Sequence, residues 1–175
     1  MLGSSALDDR ELRGESVDTP VMTAAAIAAV SSLNVSYRGR SLTFKLGSMA
    51  KPMAALRKCT EDLVRTWGYD PAEQAALTQH AKPLTNPQTW LRSSDYPPVL
   101  LELGRGSRNV FRLDVDAAGR IADCHILSQT TDAEFARVTC DAIRKRATFT
   151  PARDAAGTPT RSYYVSSVNW MTPSP

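Results

Sequence analysis

The stretch VFRLDVDAAGRIADCHILS, residues 110–128, decides the fold. Phe111, Leu113 and Val115 fall on one face of a strand, with Arg112 and Asp114 on the other. Asp116 to Arg120 then reads as a tight turn in which Gly119 supplies a positive φ. Ile121 to Ser128 returns as a second strand, with Cys124 and Ile126 facing one side and Asp123 and His125 the other. Downstream, Asp132 predicts an N-cap for a helix reaching about Arg146, with Phe135, Val138, Thr139, Ala142 and Ile143 on one side. Phe149-Thr-Pro-Ala closes that helix, Asp154 to Pro159 reads as a loop, and Arg161 to Trp170 as a last strand. Upstream, Asp95 predicts the cap of a helix over Tyr96 to Leu103 with prolines in its first turn, ended by Gly104 and Gly106. The order helix, strand, strand, helix, strand specifies an α+β fold: a three-stranded antiparallel sheet packed with two helices.

A small hairpin-plus-helix unit precedes it. Leu33, Val35 and Tyr37 alternate with polar residues, as do Leu42, Phe44 and Leu46, around the turn Arg38-Gly39-Arg40. Thr23 to Ser31 predicts a short helix capped by Thr23. Ala50 to Trp67 predicts a longer one, with Met53, Leu56, Cys59, Leu63 and Trp67 as one buried stripe and Gly68 as its stop. The expected organisation is therefore a flexible lead-in over 1–20, the hairpin-helix unit over 21–72, a linker over 73–89, and the sheet domain over 90–172.

Apolar residues make up 42% of the 175-residue chain and charged residues 22%, the balance of a globular protein. A net charge of +3 gives no electrostatic footprint for nucleic acid. Arg108, Arg112 and Arg120 lie near the sheet without the stacking aromatics of an RNA-binding face. Arg144, Lys145 and Arg146 suit a helix C-terminus, where cations meet the dipole.

Several motifs make the second half specific. Tyr96-Pro97 is followed by Leu100 and Gly104, then by Val115-Asp116-Ala117-Ala118-Gly119-Arg120, by Ile126-Leu127-Ser128, and by Phe149-Thr150-Pro151-Ala152. In this order they resemble the C-terminal domain of the TonB energy transducers of Gram-negative bacteria, over about residues 90–172. The resemblance implies a periplasmic module that captures an extended segment, the TonB box, of an outer-membrane receptor by strand addition beside the last strand. By position the partner-binding residues would be Arg161, Ser162, Tyr163, Tyr164, Val165, Ser166, Ser167, Val168 and Asn169. Arg161, Tyr163 and Tyr164 are the candidates for side-chain contacts, and the alternative for each tyrosine is that it packs the sheet. The TonB membrane anchor and proline-rich spacer have no counterpart in this sequence, so an anchor or export signal is expected outside it. The hairpin-helix unit instead resembles the leading region of periplasmic alphaproteobacterial proteins that end in a TonB-like domain. The second functional expectation is an accessory or structural envelope protein that uses this fold as a scaffold, with its edge covered by the first unit or by a second copy in a homodimer.

The same resemblance bears on the cysteines. Cys124 and Cys140 lie on elements that this fold packs together, and an exported protein would join them as a disulfide; the other reading is two buried thiols. Cys59 is left over. His80 and His125 lack metal-ligand spacing, and Cys124-His125 puts adjacent side chains on opposite strand faces. Gly104-Arg-Gly-Ser lacks the lysine-serine ending of a phosphate loop. No catalytic constellation, metal or cofactor is expected.

Overall fold

The computed structural model describes residues 24–128 and 131–172. The lead-in over 1–20 and the cap assigned to Thr23 lie outside the described residues. The chain divides into two compact units, Met1–Gly68 and Tyr69–Pro175.

In the first unit, α1 (Ala24–Ala29) leads to an antiparallel hairpin of β1 (Ser32–Tyr37) and β2 (Arg40–Lys45), then to α2 (Ala50–Thr66). Tyr37 pairs with Arg40, so the turn is the two residues Arg38 and Gly39, at φ 47° and 77°. Two successive positive φ values give the twist that a tight hairpin requires. The register puts Leu33 opposite Phe44 and Val35 opposite Leu42, so the apolar residues share one face. That face is exposed along its whole length, with Leu42 at 64%. The expected buried stripe of α2 is corrected likewise: Val64 is its buried residue, while Leu56, Cys59 and Leu63 are exposed. Periodicity identifies the face that would gain from burial. It does not supply a layer to bury it against.

The second unit begins with α3 (Pro71–Ala75), β3 (Lys82–Pro83) and two 3₁₀ turns, Pro87–Thr89 and Ser93–Asp95, before α4 (Pro98–Glu102). The strands β4 (Ser107–Val115) and β5 (Ile121–Ile126) follow, then α5 (Ala133–Arg146). The chain finishes with β6 (Phe149–Thr150), β7 (Ala152–Arg153), β8 (Pro159–Thr160) and β9 (Ser162–Trp170). β4 lies between β5 and β9, antiparallel to both, in a three-stranded sheet.

Alternation along these strands sends Phe111, Leu113 and Val115 into a core with Trp90, Ile143, Ala147 and Phe149. A second cluster of Leu100, Phe135 and Trp170 sits beside it, with the Tyr96 ring edge-on to Phe135 and Trp170. Polar side chains within these clusters are paired, as burial demands. Asn109 Nδ2 and Trp170 Nε1 both donate to Thr139 Oγ1 at 3.0 Å, and Trp90 Nε1 donates to Thr85 Oγ1 at 2.7 Å.

Two of the sequence motifs meet in space. Gly119 holds φ 76°, and a Cβ there would stand 2.1 Å from the Phe149 carbonyl oxygen. Glycine is therefore required twice, for the turn and for the close approach of Phe149, whose N–H donates to the Gly119 carbonyl at 3.1 Å.

The helix start at Asp95 is corrected. An N-cap carboxylate accepts from the amides two and three residues on, and here those positions are Pro97 and Pro98, which have none. The helix begins instead at Pro98, with Pro97 as an N-cap that makes no side-chain bond. Asp95 accepts from the Arg92 N–H and pairs with the Arg146 guanidinium. That hydrogen bond from Arg146 holds its carboxyl below the ordinary carboxylate range. Asp132 does cap α5, accepting from Glu134 N–H at 2.9 Å.

Residues 73–89 form part of the second unit. β3 pairs with β6, Gln79 bridges to Arg153, and Thr78 N–H donates to the Arg153 carbonyl at 3.0 Å.

Candidate functional site

The site expected from the sequence is the stretch Arg161–Asn169, and the sheet order places nearly all of it in β9, an outer strand. Which of its backbone groups face outward follows from one bond on the far side of β4. Leu127 N–H donates to the Val110 carbonyl at 2.7 Å, and Val110 N–H donates to Ser128 Oγ, so both backbone groups of Val110 point toward β5. In an antiparallel ladder the direction alternates residue by residue. Asn109, Phe111, Leu113 and Val115 therefore point toward β9, where their register partners are Val168, Ser166, Tyr164 and Ser162. Those four residues of β9 spend their backbone groups on β4. The intervening residues, Tyr163, Val165, Ser167 and Asn169, direct theirs at the free edge.

Side chains divide along the same alternation. Tyr164 and Val168 pack on the core side, Tyr164 against the rings of Trp90 and Phe149. Tyr163 stands on the other face, its ring T-shaped against Tyr69 at 5.3 Å. Arg161 places its guanidinium 4.9 Å from the centre of the Tyr69 ring. Of the candidates for side-chain contact, Arg161 and Tyr163 thus gather on Tyr69, while Tyr164 belongs to the core.

Tyr69 was not foreseen. It is buried, and its hydroxyl lies 3.0 Å from both Asp114 Oδ1 and the Ser162 carbonyl, one proton between two acceptors. Burial first, then the Asp114 carboxylate, push this hydroxyl well up from its ordinary value, so it stays a donor throughout the physiological range. Gln74 is the second unforeseen residue. Its Oε1 accepts from Ser162 Oγ at 2.7 Å and its Nε2 reaches the Arg161 carbonyl at 3.5 Å. The one sequence signal here is Asp70-Pro71, a helix start; Asp70 caps α3 by accepting from Ala72 N–H at 2.7 Å.

The face of the sheet opposite α5 carries a charge network. Arg112, 6% exposed, donates to Asp114 Oδ2 at 3.0 Å. His125 Nε2 lies 3.1 Å from that oxygen and 3.2 Å from Asp123 Oδ2. Asp123 in turn accepts from Arg144 at 2.7 Å. Asp114, Asp123 and His125 converge closely enough to suggest a cation. The guanidinium groups of Arg112 and Arg144 already neutralise both carboxylates, so the arrangement is an ion-pair network.

The other edge of the sheet differs. Cys124, whose N–H points outward from β5 by the same alternation, donates it to Asp123 Oδ1 at 2.7 Å. That backbone bond, ahead of His125 and Arg144, lowers the Asp123 carboxyl below its ordinary value. Cys124 is joined to Cys140 of α5 by a disulfide, with Cα atoms 5.7 Å apart. No helix of the described residues is long and apolar enough to cross a membrane.

Residues 92–172 match the family model described as the Gram-negative bacterial TonB protein C-terminal. Among solved structures, the chain is similar to the Pseudomonas aeruginosa TonB C-terminal domain determined by solution NMR, at 22% identity and TM-score 0.40, covering 54% of this chain and 89% of that one. No curated protein matches the chain. Residues 92–172 thus carry a TonB C-terminal-like domain.

Proposed function

We propose that this protein is a TonB-like periplasmic binding module that captures an extended segment, the TonB box, of an outer-membrane transporter by adding it as a strand beside β9. The observation that carries the reading is the edge itself. β9 runs nine residues, SYYVSSVNW, with neither charge nor proline. Exposed strands normally carry such residues to prevent pairing with other chains. The outward backbone groups of Val165, Ser167 and Asn169 have no hydrogen-bond partner among the described residues. An incoming segment would satisfy them, and main-chain bonds would supply the affinity while side chains tune it.

The disulfide is consistent with an oxidising compartment. Nothing in the site assembles a nucleophile with a base, and the proposed work is binding. Titration of receptor TonB-box peptides against isotope-labelled protein tests the reading. Amide shifts concentrated on β9 are expected, and their absence from that strand would sink the reading.

A further inference from the structure

The open part of the β9 edge is shorter than the strand, and its boundary is built by residues upstream of the family match. At the Ser162 end, Gln74 covers the backbone: its side-chain amide engages both the Arg161 carbonyl and the Ser162 hydroxyl. Tyr69 closes the same end from the sheet face, with its hydroxyl on the Ser162 carbonyl and its ring between Arg161 and Tyr163. Both side chains are buried, at 7% and 8% exposure, which a loose surface contact would not produce.

The segment that carries them is fastened on its far side too. Thr78 Oγ1 donates to the Asp154 carbonyl at 2.8 Å, and Gln79 Nε2 to the Pro151 carbonyl at 3.2 Å. Beyond the covered end the outward groups of Val165, Ser167 and Asn169 remain open. With one N–H and one C=O each, they offer up to about six backbone hydrogen bonds.

We propose that Tyr69 and Gln74 form an end-stop on the β9 edge that fixes the register of an incoming strand and confines its backbone pairing to Val165–Asn169. The inference rests on the strand-addition reading, and adds to it a specificity element that lies outside residues 92–172. The partner segment it selects has a short extended core, about five residues by the spacing of alternate strand positions. That core must turn away from the sheet before reaching Tyr163. A longer extended segment gains nothing from its extra length.

Calorimetric titration with two synthetic receptor TonB-box peptides, about five and about nine residues long, tests this. On the native protein the two peptides bind within about twofold of each other. Gln74→Met keeps the side-chain volume and removes the amide. There the longer peptide gains roughly fivefold while the shorter one does not, because the Arg161 carbonyl becomes available as a further backbone acceptor. Shift mapping on the native protein with the longer peptide gives a reading that needs no variant: perturbation stops at Val165. A longer peptide that already binds tighter to the native protein, or shifts that run through Tyr163 to Arg161, would overturn the end-stop and leave strand addition standing. So would a Gln74→Met protein that still ignores peptide length. Binding of neither peptide to either protein would overturn both.

Discussion

The two edges of one sheet are built to opposite ends. β5 is short, carries a carboxylate and a histidine, spends its outward Cys124 amide on Asp123, and is tied to α5 by a disulfide. β9 is half as long again, uncharged, and leaves alternate amides and carbonyls open over Val165–Asn169. Both strands pair with the same β4, so the difference does not come from topology. It comes from a few side chains that either occupy outward backbone groups or leave them alone. A sheet needs a closed edge to stay monomeric and an open one to recruit, and the proposed function gives this domain one of each.

The largest expected effect separates neighbouring residues of β9. Ser166 donates its N–H toward β4, so Ser166→Pro removes a ladder bond and should cost about 3 kcal/mol or more in a denaturant titration. Ser167 points its N–H outward. Ser167→Pro should hold stability within about 1 kcal/mol of native, as prolines on strand edges do, while losing peptide binding. Equal destabilisation by the two prolines would mean that the alternation is wrong.

On the closed edge, replacing both Cys124 and Cys140 with alanine should cost about 2–4 kcal/mol, read as a shift in the urea midpoint. Binding along β9 should survive wherever the protein stays folded. A smaller effect, about 1 kcal/mol, is expected for Asp123→Ala, which frees the Cys124 amide and breaks an exposed pair with Arg144. Its sharper readout is local: Cys124 N–H exchange accelerates while Val165 exchange does not change.

Acid should act on the two edges unequally. Asp95, Asp116 and Asp123 all have lowered pKa values, held down mainly by the Arg146 guanidinium, by the Arg120 N–H and by the Cys124 N–H respectively. A depressed folded-state value stabilises the native protein fully above the ordinary carboxylate value, and that contribution is lost as pH falls through the folded one. The thermal midpoint should therefore drop below pH about 4. Peptide binding should stay level from pH about 5 to about 8, because backbone groups carry it.

Much of the fold was legible because its signals are local. Alternation over Phe111–Val115, the glycine at 119, and the apolar spacing of α5 each dictate conformation within a few residues. Asp95 misled because a good capping residue was read without asking whether the following amides exist. The α2 stripe misled differently, since apolar spacing states a preference that only a partner layer can fulfil. The site was legible as a strand, and through the family resemblance as an edge, but not in its alternation. Whether Val165 or Ser166 faces outward depends on registration against a strand about fifty residues earlier. Tyr69 and Gln74 reach β9 across about ninety residues of sequence, and no periodicity marks them.

Residue-resolved amide exchange of the uncomplexed protein tests the central claim most directly. Val165, Ser167 and Asn169 should exchange orders of magnitude faster than Tyr164, Ser166 and Val168, with Cys124 slow on the opposite edge. Uniform protection along β9 would contradict the account, because it would mean that the edge assigned to recruitment is already occupied.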